Sequence, residues 1–269
     1  MRRVLMCAVT GLIGVQQMRI AVNIPAYRLD VYVADSLVRS MKIAPGMPAY
    51  PTPRGTFAIT SIEWNPWWIP PNSPWAAKEH TMRPGPANPM GRVKLNFRPL
   101  YFLHGTPLAA SIGSAASHGC IRLRSADAID LARLVHGFGS PELTADDIDR
   151  LATDTATTRL LVLDRSVPLE IRYELAEVRA GRLTVYRDVY GLAAHSPSNR
   201  VYEALAANGV DTTLVDSSRI RALLRRIAPA GTTIAIDSLL RRPPASMTSV
   251  SVARSSNQSS VRAWVTTKL

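Results

Sequence analysis

Seven prolines between Asn65 and Gly91 (Pro66, Pro70, Pro71, Pro74, Pro84, Pro86 and Pro89) forbid a helix interior or a central strand anywhere in that stretch. So long a segment without regular structure is either a linker or a lid over a site. Trp67, Trp68 and Trp75 lie within it, and their large apolar surfaces favour a folded lid. The rest of the chain must build its core on either side of this interruption.

On the N-terminal side, Arg28–Val33 alternates with Leu29, Val31 and Val33 apolar. A polar Ala34-Asp35-Ser36 turn then leads into Leu37–Ile43, a hairpin pattern. Pro51-Thr-Pro-Arg-Gly55 is a rigid turn feeding a strand over Thr56–Trp64. On the C-terminal side, Tyr101–Leu103 is a short strand that delivers His104 at its end. Ser125–Val135 has helical spacing (Ala126, Ile129, Ala132, Leu134), with Ser125 as N-cap and Asp127 in the first turn. Thr144–Leu151 is a second helix, capped by Thr144 with Asp147 three residues on. Strand patterns return at Leu160–Leu163, Val167–Glu174 and Leu183–Tyr190. Helices are expected at Asn199–Ala207 and Ser217–Ile227, with a short strand near Thr213–Val215 between them. From Arg241 onward the chain reads as a flexible basic tail. The class is mainly β with α.

With 46% hydrophobic residues in 269, the chain is no disordered polymer. A net charge of +12 points to an anionic partner: nucleic acid, anionic lipid or an acidic wall polymer. The basic residues form no long run, and neither zinc spacing nor an RNA-binding aromatic signature is present, so nucleic acid is not expected. Met1-Arg2-Arg3 followed by apolar Val4–Val15 reads as a signal peptide or N-terminal anchor over residues 1–17, a possible membrane tether; the alternative is a buried first strand. No Gly-rich phosphate loop indicates a nucleotide cofactor. His136 and His195 lack partners at metal-ligand spacing, and His80 reads as a loop histidine. Neither metal nor cofactor is expected.

Apart from Cys7 in the N-terminal run, Cys120 is the only cysteine. In an exported chain a leftover thiol suggests reactivity, whereas the bland reading is a buried structural cysteine. A thiol attacks as thiolate, and a nearby histidine can take its proton. His104 stands sixteen positions before Cys120, and His118 two before it. Gly105 and Gly119 permit close backbone approach and leave amides for an oxyanion hole. Spacing alone leaves the pairing open.

The full string His104-Gly-Thr…Ser117-His-Gly-Cys-Ile-Arg-Leu123 resembles the signature of the YkuD-type L,D-transpeptidases, which remodel bacterial peptidoglycan. The likeness extends outward through Val22–Leu29, Pro51–Phe57 and Asn65–Pro70, covering roughly residues 18–192. It implies a β-sandwich or barrel catalytic domain over 18–192, with a helix after the cysteine motif and a lid over about 65–91. A small α/β extension over 193–240 and the tail over 241–269 would follow. It implies Cys120 as nucleophile, His104 as general base, and the Gly105 carbonyl orienting His104. His118 would be auxiliary, and the amides of Cys120 and Gly119 would form the oxyanion hole. Ser117 is assigned to orienting the loop or contacting substrate, and Trp67 and Trp68 to the cleft wall or simple lid packing, with Trp64 beside them. Arg122 either anchors a substrate carboxylate or forms a structural ion pair. The implied partners are peptidoglycan stem peptides (tetrapeptide donor, amine acceptor) and carbapenem-type inhibitors, in the periplasm or cell envelope. Water, a protein or a free D-amino acid as acceptor are the alternatives. A non-catalytic wall-binding scaffold is the competing class.

Overall fold

The computed structural model describes residues 17–192 and 197–241; the N-terminal apolar run with Cys7, His195 and the basic tail lie outside them. The alternating segments form β1 (Met18–Asn23), β2 (Arg28–Val33), β3 (Ser36–Ala44) and β4 (Gly55–Trp64) before the lid. After it come β5 (Val93–Arg98), β6 (Tyr101–Thr106), β7 (Ile121–Arg124), α1 (Ser125–Gly139), α2 (Ala145–Thr153) and β8 (Arg159–Arg172). The eight strands close into a barrel in the order β1-β2-β3-β7-β6-β5-β4-β8. The β2–β3 hairpin turns at Ala34 and Asp35, both in the left-handed region, the backbone a tight two-residue hairpin requires.

One face of each strand supplies the core. Ile20, Val22, Leu29, Val31, Ile59, Ile62, Leu95, Leu103, Ile121 and Leu169 are buried there, together with Ala128, Leu131, Ala132 and Val135 of α1. That helix packs on β5, β6 and β8. Its first residue is Ser125 rather than its N-cap: Arg124 holds the cap position, and the Ser125 hydroxyl donates to the Thr106 carbonyl instead. The capping box of α2, Thr144 with Asp147, forms as its sequence specifies. Leu160–Leu163 and Val167–Glu174 are not two strands. Continuous pairing with β4 joins them into β8, and a register shift between Ile59 and Ser61 absorbs the interruption. Trp64 and His136, a cleft-wall candidate and a stray histidine by sequence, are both fully buried together. The indole Nε1 donates to His136 Nε2 at 3.1 Å, and His136 Nδ1 pairs with Ser140 Oγ at 3.0 Å.

A second, smaller core begins before residue 193. β9 (Ala176–Arg179), β10 (Arg182–Val185) and β11 (Thr232–Ala235) form a three-stranded sheet in the order β11-β10-β9. It is covered by α3 (Pro197–Ala207) and α4 (Ser217–Leu224), and Leu183, Val185, Val201, Leu205, Ile220 and Leu239 fill the space between. The boundary therefore lies near Ala176, because Leu183 and Val185 find their apolar partners on α3 and α4 and not in the barrel. The segment near Thr213–Val215 is a 3-10 turn over Thr212–Leu214, with only Val215 bridging to Leu240. Among the described residues no helix is long and apolar enough to cross a membrane.

A part-buried polar network holds the small unit to the barrel. Asp30 of β2 accepts from Arg28 at 2.9 Å, Arg179 at 2.7 Å and Ser40 Oγ at 2.7 Å. Glu177 of β9 bridges Arg28 and Asn23. Burial pushes the Asp30 carboxyl up, but Ser40 and the two guanidiniums outweigh it and hold it below the usual carboxylate range. A depressed carboxylate stabilises the fold above its unfolded value and loses that contribution as pH falls. Asp30→Ala is expected to cost about 2 kcal/mol in urea unfolding at pH 7, because it removes one of the two carboxylates of the network and leaves Arg28 and Arg179 with Glu177 alone. A loss within 0.5 kcal/mol, roughly that of an ordinary surface substitution, would show the network to be dispensable.

Candidate active site

β6 and β7 run parallel, so the chain between them must cross back, and residues 107–120 make that crossing. This loop carries Ser117-His118-Gly119-Cys120 to the start of β7. It is fastened to the end of β3: Gly113 N–H donates to Ile43, Ala116 and Ser117 N–H donate to Pro45, and Met47 N–H donates to Ser117. The register then sets the site. His104 stands opposite Lys94 of β5 on one side and opposite Arg122 of β7 on the other, so three polar residues form a row across adjacent strands. Their neighbours Leu95, Leu103 and Ile121 point the other way into the core. Two residues before Arg122, the strand period carries Cys120 to the same face as the row.

His104 is 2% exposed, and its Nδ1 lies 2.6 Å from the Gly105 carbonyl. A carbonyl only accepts, so Nδ1 carries the proton and Nε2 the lone pair. Burial drives the imidazole pKa down to about 4; the Gly105 and Pro89 carbonyls oppose this, and the Arg122 and Lys94 cations reinforce it. The ring is neutral at pH 7. Cys120 is the only free cysteine among the described residues. Its thiol is 3.6 Å from the Leu100 carbonyl, and burial pushes its pKa up against the Phe102 backbone, Arg122 and Lys94. Cys120 is thus a protonated thiol and His104 a neutral imidazole on the adjacent strand, and both feel the same two cations, Arg122 and Lys94.

Those cations differ. Lys94 is neutralised by Glu63 at 2.9 Å. The Arg122 side chain forms no ion pair or hydrogen bond with the described residues, so the structural ion pair considered for it is not made among them. It is a half-buried guanidinium beside Cys120, His104 and His118.

Of the two readings of Ser117, its contacts favour loop orientation, and the Gly119 assignment changes with it. Ser117 is 1% exposed and both its roles are internal: its hydroxyl donates to the Cys120 carbonyl and accepts from Gly119 N–H at 3.1 Å. It shapes the turn and is too enclosed to touch substrate. For the same reason Gly119 N–H is already engaged and cannot serve an oxyanion. Glycine is needed there on other grounds: φ is +110°, and a Cβ would sit 2.8 Å from the Tyr101 ring.

The lid meets the motif through Trp75, not Trp67 or Trp68. Trp75 stacks on His118 with centroids 3.9 Å apart and rings 5° from parallel, while Tyr50 meets the same imidazole edge-on at 4.9 Å. Trp68 is buried within the lid, paired with Met82. Trp67 is 48% exposed and lines a separate hollow of about 770 Å³ with Met82, Arg83 and Asn88. Trp75, Tyr50 and Lys94 were not legible as site residues. Trp75 follows Ser73-Pro74, a usual start for a helical turn, but nothing local says where that turn points.

A family model for the L,D-transpeptidase catalytic domain (YkuD) matches residues 17–162. "Putative L,D-transpeptidase YkuD" of Bacillus licheniformis is 34% identical over 118 residues, covering 44% of this chain and 59% of that protein. "Probable L,D-transpeptidase ErfK/SrfK" of Escherichia coli K12 is 36% identical over 121 residues, covering 40% of this chain and 38% of that one. The chain thus spans less than two thirds of the length of these curated relatives. Among solved structures, an L,D-transpeptidase from Mycobacterium smegmatis matches at 19% identity and a TM-score of 0.38, over 58% of this chain and 59% of that one. The L,D-transpeptidase LdtMt1, solved in complex with imipenem, matches at 20% identity and a TM-score of 0.38, over 58% and 59%.

Proposed function

Since the chain belongs to the L,D-transpeptidase (YkuD) catalytic-domain family, we propose that it is a peptidoglycan cross-linking enzyme working through a Cys120 thioester. The observation that most supports this reading is a neutral, buried imidazole, held at Nδ1 by the Gly105 carbonyl, on the strand beside a protonated thiol.

As the Cys120 sulfur attacks the carbonyl of the third stem residue, a diamino acid, His104 Nε2 takes the thiol proton. The tetrahedral oxyanion collapses, the C–N bond to the terminal D-Ala breaks, and the imidazolium returns its proton to that leaving amine. An amine from a neighbouring stem then attacks the thioester while His104 accepts its proton, and the thiol is regenerated with a 3→3 cross-link formed. Arg122, whose guanidinium has no partner among the described residues, is suited to hold a carboxylate of the stem. Trp75 on His118 closes the lid side and limits water while the thioester waits. His118 is auxiliary in this scheme. We place the reaction in the cell envelope, where stem peptides reside.

The test is incubation with a defined disaccharide-tetrapeptide and mass analysis of the products. Cross-linked dimer with released D-Ala is expected. Tripeptide alone would make water the acceptor and the enzyme an L,D-carboxypeptidase. Binding without any product would favour the scaffold.

The pH dependence follows from the His104 environment. A base works in its unprotonated form, so a value near 4 keeps it competent through the mildly acidic range. Acylation by imipenem is expected to fall only as pH drops through about 4. A midpoint near the ordinary histidine value of about 6.5 would contradict the buried neutral base.

A further inference from the structure

Three consecutive peptide units surround the nucleophile, and each is held by a side chain remote in sequence or by the turn itself. Gly119 N–H donates to Ser117 Oγ, and the Cys120 carbonyl accepts from the same hydroxyl. Between them, the Gly119 carbonyl accepts from Thr52 Oγ1 at 2.9 Å. Among the described residues the Cys120 N–H, like that of His118, has no hydrogen-bond partner, and it is the one on the nucleophile itself. The polarity at Thr52 is unambiguous. Its hydroxyl accepts from Gly46 N–H at 2.8 Å, a group that can only donate, so its own proton goes to Gly119. Thr52 is 2% exposed and is itself fixed from a third direction: its N–H donates to the Tyr190 hydroxyl at 3.2 Å, and that hydroxyl donates to Gly46 O at 2.8 Å. Tyr190 in turn stacks on Tyr173 at 5.4 Å.

The Gly119 carbonyl and the Cys120 N–H belong to one planar trans peptide, so they point in opposite directions. Whatever holds the oxygen aims the hydrogen. We infer that Thr52 is a positioning residue that presets the oxyanion hole, turning the Cys120 N–H away from the protein toward the place where the attacked carbonyl oxygen develops charge, with Tyr190 as the brace that keeps Thr52 in place. This rests on the thioester reading above. It explains why a threonine from the Pro51–Gly55 turn, itself braced by a tyrosine beyond the barrel, donates to the backbone oxygen just before the nucleophile. A donor set before the reaction begins needs no reorganisation during it.

The experiment compares two reactions at the same sulfur. Acylation by imipenem passes through a tetrahedral oxyanion, whereas alkylation by iodoacetamide is a direct displacement with none. Thr52→Val, which keeps shape and removes the hydroxyl, is expected to slow acylation by about 10- to 100-fold, less than outright loss of an oxyanion donor. Its iodoacetamide rate should stay within about twofold of wild type, since no oxyanion forms in that reaction. Thr52→Ser should restore acylation, and Tyr190→Phe should show the same selectivity at smaller amplitude. Equal slowing of both reactions would mean Thr52 places the thiol rather than the oxyanion donor, and no slowing of either would mean it places nothing; each overturns the inference. If Thr52→Val fails to fold, the ratio of the two rates in Tyr190→Phe decides. A wild-type protein that iodoacetamide alkylates but imipenem never acylates would instead bring down the thioester reading, and this inference with it.

Discussion

A Cys120→Ser protein is expected to gain no acyl mass from imipenem under conditions that fully acylate wild type, a loss of about 10⁴-fold or more. The reason lies in the pairing of base and nucleophile. Burial holds His104 near 4, which makes it a weak base. A thiol is acidic enough to lose its proton to such a base while bond formation to carbon is under way; an alcohol is not. The substitution is otherwise mild, since an oxygen can keep the sulfur's two backbone contacts, the 3.6 Å one to the Leu100 carbonyl and the one from the Phe102 backbone. Intact-mass spectrometry reads the result directly. An adduct forming on Cys120→Ser at a rate within tenfold of wild type would place the nucleophile elsewhere.

Replacing His104 is expected to cost about 10²- to 10⁴-fold in acylation, the usual contribution of a positioned base. His104→Gln is the better variant than alanine, because the side chain is buried and a cavity would confuse the measurement with instability. The deficit should carry a pH signature. As pH rises toward the thiol's own elevated pKa, thiolate forms without a base and the gap between variant and wild type narrows. A gap constant from pH 6 to pH 10 would mean that His104 shapes the site without moving the proton.

Much of the barrel was legible because its determinants are local. The β2–β3 hairpin follows from period-two apolar residues on either side of Asp35, and α2 from a threonine three residues before an aspartate. Where the reading failed, a distant partner overrode a local signal. Polar Asp164-Arg165-Ser166 looks like a break, yet β4 pairs on both sides of it and carries β8 through. Leu183 and Val185 read as an addition to the barrel, yet α3 and α4, later in the chain, claim them for a second core. Among three lid tryptophans the sequence offered no reason to prefer Trp75, because the proline-rich path that turns it onto His118 is set by contacts such as the Asn88 amide to Pro66, 22 residues apart.

The proline-rich interruption that partitions the chain, the succession of strand segments on either side of it, and the Cys120 thiol, its histidines and the turn glycines are all written in the sequence. Those follow from ring-locked dihedrals, side-chain period and the chemistry each residue carries wherever it sits. Only the tertiary structure decided which of these groups are free to act. Gly119 N–H is engaged by Ser117 and Lys94 by Glu63, while the Arg122 guanidinium and the Cys120 N–H have no partner among the described residues. A hydrogen bond or ion pair depends on two groups that folding brings together, and a partner such as Tyr190 for Thr52, 138 positions away, exists only once the barrel has closed.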